Sequence, residues 1–110
     1  MRSLLLSLVS LFVLSTTLQA AQWLIDESPR KRTWEEAIDY CDYKGGRLPT
    51  IAELKSAYTS PIKDAFRKDF YWSVSEYTND FDQAIYLNFY DGASFHSPKT
   101  FKMQVRCVKH

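Results

Sequence analysis

Residues 45–54 read Gly45-Gly46-Arg47-Leu48-Pro49-Thr50-Ile51-Ala52-Glu53-Leu54. They decide where one helix stops and the next begins. The stretch holds two of the chain's three glycines. Glycine accepts the positive φ that often closes a helix, so the pair marks a helix end. Thr50 and Glu53 then form a capping box. The hydroxyl accepts from the Glu53 amide, and the carboxylate accepts from the Thr50 amide. Pro49 fixes the direction of the chain just before that start. The stretch is predicted to be a helix-to-helix corner, a piece of scaffold and not a binding loop.

Upstream, Thr33-Trp34-Glu35-Glu36 repeats the box. Trp34, Ala37, Ile38 and Cys41 follow at i, i+3, i+4 and i+7, which is one helical face. Glu35, Asp39 and Asp42 fall on the wet side. Downstream, Leu54, Ala57 and Tyr58 continue an apolar face until Pro61 ends it. Residues 22–26 predict a short strand, broken by Ser28-Pro29. Past the second helix the period becomes alternating, with strands predicted over 71–76, 84–90, 93–96 and 101–109. Asp91-Gly92 signals a two-residue hairpin. In the last strand Phe101, Met103, Val105 and Cys107 share one face, opposite Lys102, Gln104 and Arg106. Trp72 is assigned to the core and Tyr71 to the opposite face of its strand. Helices first and antiparallel strands second make an α+β domain, two helices packed on an irregular sheet.

The first twenty residues have the layout of a secretory leader. Met1-Arg2 supplies charge, residues 4–14 are apolar except for Ser7 and Ser10, and Ala20 is a small residue for cleavage. That run is shorter than the ~20 residues of a membrane span. The expectation is cleavage after Ala20, a single domain over 21–110, and export to the periplasm or the exterior. Fourteen Lys and Arg face thirteen Asp and Glu, and Arg2 lies in the leader, so the domain is formally neutral. Neutrality argues against nucleic acid or an anionic membrane as main partner. Arg30-Lys31-Arg32 reads as a solvated turn.

Cys41 falls on the buried face of the first helix and Cys107 on the buried face of the last strand. In an oxidising compartment these two are predicted to pair; separate buried thiols are the alternative. A bridge spanning 66 positions would remove on the order of 4 kcal/mol of unfolded-state entropy.

Several of these residues, in order, carry a resemblance. They are Trp34-x-x-Ala37 with Tyr40-Cys41, then Gly46-Arg47-Leu48-Pro49-Thr50 with Glu53-Leu54. Tyr71-Trp72-Ser73, Asn88-Phe89 with Gly92, and Val105-Arg106-Cys107-Val108 follow. Together they resemble the bacterial Lcl C-terminal domain family, over about residues 23–109. That family is similar to the C-type-lectin-like and formylglycine-generating-enzyme-like folds. The resemblance implies a compact domain with neighbouring termini and a bridge from the first helix to the last strand. Gly46 stands where the family often has an aromatic, and no Gly-x-y run accompanies the domain.

Catalysis is not expected. Formylglycine-generating enzymes work through cysteines, and a Cys41–Cys107 bridge leaves none. His96 and His110 are isolated. Calcium is the cofactor that the sequence raises, because Glu76, Asn79, Asp80 and Asp82 put side-chain oxygens within seven residues. The Glu-Pro-Asn or Gln-Pro-Asp triplet of sugar-binding lectins is absent and the spacing is not that of an EF-hand, so a solvated acidic turn and no cofactor are expected. Arg47, Trp72 and Arg106 are assigned structural roles. The candidate ligand surface is Glu76, Tyr77, Asn79, Asp80, Phe81, Asp82, Tyr90, Asp91 and His96, with Tyr86 and Phe95 as further aromatics nearby. Acids, amides and aromatics around turns suit recognition of a glycan or an envelope protein. A structural accessory with no small ligand is the alternative.

Overall fold

The computed structural model describes residues 21–110. The leader assigned to residues 1–20 lies outside them. Six strands and two helices form in the order β1 (Trp23–Glu27), α1 (Trp34–Tyr43), β2 (Gly46–Arg47), α2 (Ile51–Tyr58), β3 (Phe70–Glu76), β4 (Gln83–Asn88), β5 (Ser94–Pro98) and β6 (Arg106–Lys109). A 3-10 turn over Pro61–Ala65 follows α2. Both helices open on the predicted boxes, Thr33 with Glu36 and Thr50 with Glu53. Gly45 takes φ 83° past the end of α1. Gly46 has a different reason to be glycine. A Cβ there would collide with the Val108 carbonyl oxygen, because β2 lies directly on β6.

The strands divide into two antiparallel three-stranded sheets, β1-β6-β2 and β3-β4-β5, where the sequence suggested one. The division explains the principal miss in the strand assignment. Residues 101–109 are not one strand. Met103 makes a single bridge to Arg32, Gln104 bridges β3 at Tyr71, and only from Arg106 does the chain join the first sheet. The alternation over 101–107 thus serves a crossing between sheets. Met103, Val105 and Cys107 are buried as predicted, but Phe101 precedes the crossing and is 58% exposed.

The second strand prediction ends too late for a related reason. β4 stops at Asn88 because Phe89 turns into the core and its amide donates to Asp69 O at 2.9 Å. Asn88 N donates to Ala93 O at 2.8 Å, enclosing four residues where Asp91-Gly92 suggested two.

β3 is buried on both faces. Trp72 joins Trp34, Ala37, Cys41, Leu48 and Val105 on the α1 side. Tyr71 joins Leu54, Phe66, Leu87 and Phe89 on the α2 side. The Trp34 indole donates to Ser73 O at 2.8 Å, which pins α1 to the sheet. Cys41 and Cys107 form the bridge, with Cα atoms 5.5 Å apart. It ties α1 to β6 as predicted. Among the described residues no helix is long and apolar enough to cross a membrane.

Candidate functional site

The GGRLPTIAEL corner uses its polar groups on itself. Arg47 makes a two-pronged contact with Glu53, Nη1 to Oε1 at 2.8 Å and Nη2 to Oε2 at 2.9 Å. Its Nη1 also donates to Leu48 O at 3.2 Å. Glu53 completes the α2 cap by accepting from Thr50 N at 2.8 Å. Pro49 O accepts from Val74 N at 2.8 Å, which docks the corner on β3. All of these bonds lie within the corner and the strand it rests on.

The Arg47 guanidinium, more than any other group, holds the Glu53 carboxyl down to about 2. A carboxylate depressed below its unfolded value stabilises above that value and loses the contribution as pH falls toward 2. Solvent reaches this pair, so Arg47→Ala should cost about 1 kcal/mol at neutral pH. The difference from wild type should shrink between about pH 4 and pH 2. Urea unfolding at several pH values measures both.

The candidate ligand residues do not form one site. β4 separates them, and its six residues span roughly 20 Å. Glu76, Tyr77, Asn79, Asp80, Phe81, Asp82 and His96 lie at one end of the strand; Tyr90 and Asp91 lie at the other. At the first end the polar atoms serve the turn. Asp80 Oδ1 accepts from Asp82 N at 3.0 Å and Oδ2 from Gln83 Nε2 at 3.1 Å. Those bonds, the one from Gln83 first, hold the Asp80 carboxyl below its ordinary value. Glu76 pairs with Lys99 at 3.1 Å, and the Tyr77 ring stacks on His96 with centroids 3.8 Å apart. Among the described residues no three His, Cys, Asp or Glu converge as metal ligands would. Phe81 is 63% exposed, and among the described residues no ring stacks on it.

A different set of aromatics is continuous. Tyr90 meets Phe70 at 6.4 Å between centroids, Phe70 meets Tyr86 at 5.1 Å, and Tyr86 meets Phe95 at 6.1 Å. Register explains the alignment: Trp72 faces Tyr86, Tyr86 faces Phe95 and Phe70 faces Asn88, so all point to one side of the sheet. That is the side α1 covers. A ten-residue helix is only about 15 Å long. Its shelter reaches Trp72 and leaves Phe70, Tyr90 and Phe95 open to solvent. Phe101 and Met103 close the run on a groove of about 420 Å³, shared with Phe70, Tyr86, Lys102 and residues 96–98. Among the described residues no carboxylate lines it.

Sequence reasoning found Tyr86, Tyr90 and Phe95 of this run and missed Phe70 and Phe101. Alternation places Phe70 on the same face as the buried Trp72, and only the length of α1 leaves it outside. No sequence signal separates the two.

Trp72 and Arg106 both donate to backbone carbonyls of distant segments. Trp72 is fully buried and donates to Arg32 O at 3.0 Å. Arg106 donates to Ile25 O and Ala65 O, both at 3.1 Å, and lies 3.8 Å from Glu27. Its guanidinium sits over the Phe66 ring at 5.1 Å.

The class defined by these observations is a small α+β domain with one bridge and an uncovered aromatic face. The family model for a domain of unknown function, DUF8780, matches residues 24–109, and the chain belongs to that family. No curated protein matches it.

Proposed function

We propose that the domain is an exported, non-catalytic recognition module that binds a glycan or a protein of the cell envelope. The observation that carries this reading is the run Tyr90–Phe70–Tyr86–Phe95 with Phe101 at its flank. Four of these rings are exposed around a half-buried Tyr86, and soluble domains seldom leave such a group at the surface without a use for it. Aromatic faces stack on apolar partners and contribute disproportionately to binding, while Tyr hydroxyls add hydrogen bonds. The 420 Å³ groove is within the range of small-ligand sites, about 300–1,000 Å³.

Export is supported by the leader-like residues 1–20 and by the bridge, which persists in oxidising compartments. The non-catalytic reading is supported by the occupation of both cysteines in that bridge and of His96 in a stack with Tyr77. The order of the elements, and a bridge from the first helix to the last strand, support kinship with the Lcl C-terminal domains and a C-type-lectin-like fold.

A glycan array and an envelope-protein pull-down test the proposal together. Truncating Tyr90, Phe95 or Phe101 to Ala should cost about 1–3 kcal/mol of binding wherever the ring is an anchor. Phe81→Ala, equally exposed but outside the run, should bind as wild type. Equal losses from Phe81→Ala and Phe95→Ala, or no ligand in either assay, would count against it.

A further inference from the structure

β5 differs from every other outer strand of the two sheets. The outer side of β3 is occupied, since Trp72 N donates to Gln104 O at 3.2 Å and Gln104 N to Phe70 O at 3.0 Å. β2 is only two residues long. β1 carries Asp26 and Glu27, its register shifts, and Arg106 caps its Ile25 carbonyl. These are the usual defences of an edge: coverage, brevity, charge and irregularity. β5 reads Ser94-Phe95-His96-Ser97-Pro98, with no Lys, Asp or Glu, and β4 is its sole partner among the described residues.

The register shows what that edge offers. Asn88 N bonds Ala93 O at 2.8 Å and Lys99 N bonds Asp82 O at 3.0 Å. Hydrogen-bonded pairs alternate along an antiparallel ladder, so Tyr86 with Phe95 and Ala84 with Ser97 are the bonded pairs between these two points. Ser94 and His96 therefore direct their backbone N–H and C=O away from β4. Pro98 has no N–H, and the donor row ends there.

We propose that β5 pairs antiparallel with β5 of a second copy of this chain, about a two-fold axis at Phe95. Ser94 and His96 would then exchange four backbone hydrogen bonds with His96 and Ser94 of the other copy. The two Phe95 residues would face each other in the close, non-bonded position, with Cα atoms about 4.5 Å apart. The strand is complementary to itself in donors, acceptors and shape, and it carries no charge that would select a foreign strand. The domain is formally neutral once Arg2 is set aside, so two copies do not repel. Five residues a side bury less than the roughly 1,200–2,000 Å² of a stable complex. The dimer is accordingly weak and concentration-dependent. It places both aromatic runs on one face of a six-stranded sheet, a bivalent arrangement. The inference stands apart from the ligand: a silent glycan array leaves it untouched.

Sedimentation equilibrium of the mature domain from about 10 μM to about 1 mM should show the mean mass rising toward two chains. His96→Pro removes one outward N–H and no backbone bond to β4, though it loses the ring contact with Gln83 Oε1, and it should weaken association at least tenfold. Phe95→Cys should form a disulfide-linked dimer under mild oxidation, because the facing Cα atoms lie within bridging range. Phe81→Cys, exposed in the β3–β4 turn, is the control and should cross-link far more slowly. If His96→Pro does not fold, as judged by circular dichroism, the cysteine pair decides. A single-chain mass throughout, or Phe95→Cys cross-linking no faster than Phe81→Cys, would overturn the proposal.

Discussion

Cys41→Ala/Cys107→Ala should lose about 4 kcal/mol of unfolding free energy and still reach the same fold. The bridge closes a loop across 66 positions, and the chain-entropy model gives about 4 kcal/mol for a loop of that length. A domain of this size has about 5–13 kcal/mol in total. Losing a third or more of it should lower Tm by about 15–30 °C. Both cysteines are buried and alanine leaves only small voids, so packing loss should add little beside the loop effect. Reduction of the wild type separates the contributions, because it opens the loop without removing a side-chain atom. Reduced wild type and the double variant should therefore unfold at nearly the same urea midpoint. A loss under about 1 kcal/mol in both would mean that the reduced chain keeps α1 near β6 even when unfolded.

The bridge also shows why the fold was largely legible in the sequence while the recognition surface was not. Cys41 and Cys107 could be paired because each lies in a segment whose periodicity declares an inner face. The capping boxes at Thr33 and Thr50 are equally local, as is the helix stop at Gly45. What failed was non-local. The split into two sheets depends on where residues 101–105 cross, and alternation continues unchanged through such a crossing. Alternation places Phe101 inward for that reason. The candidate residues from Glu76 to His96 group together only because they are near in sequence, yet a strand is a rigid spacer that holds its two ends apart. The continuous surface is assembled across three strands, and Phe70 joins it only because α1 is ten residues long. Arg47 reads as a corner residue from its place beside Gly46 and Pro49, and its partner Glu53 is only six residues away. The partners of Arg106, at Ile25, Glu27 and Ala65, lie 41 or more positions distant.

Those distant partners set up the second large effect. Glu27→Ala should cost about 3–5 kcal/mol, comparable to losing the bridge. The Glu27 carboxylate is 10% exposed and joins three groups from separate parts of the chain. Tyr71 donates its hydroxyl to Oε1, Arg67 Nε donates to Oε2 at 2.8 Å, and the Arg106 guanidinium stands 3.8 Å away. Tyr71 is fully buried, and its hydroxyl accepts from Arg67 N at 2.8 Å. Arg106 Nε already has no partner among the described residues. Removing Glu27 would leave a buried guanidinium facing no anion and a buried phenol with no acceptor, and unpaired buried groups keep their full desolvation cost. Glu27→Gln retains an oxygen for Tyr71 and should lose clearly less. The same cluster predicts an alkaline limit. Burial first, and the Glu27 carboxylate second, push the Tyr71 phenol well above 10. A group whose folded value is raised stabilises fully below its unfolded value of about 10 and loses that contribution as pH rises beyond it. The wild type should therefore lose stability between about pH 10 and pH 11.5, and Tyr71→Phe should lose visibly less over that interval. Parallel alkaline slopes for the two proteins in urea unfolding would show that the phenol is not linked to folding. A Glu27→Ala loss under about 1 kcal/mol would show that the carboxylate is not what holds β1, β3 and β6 together.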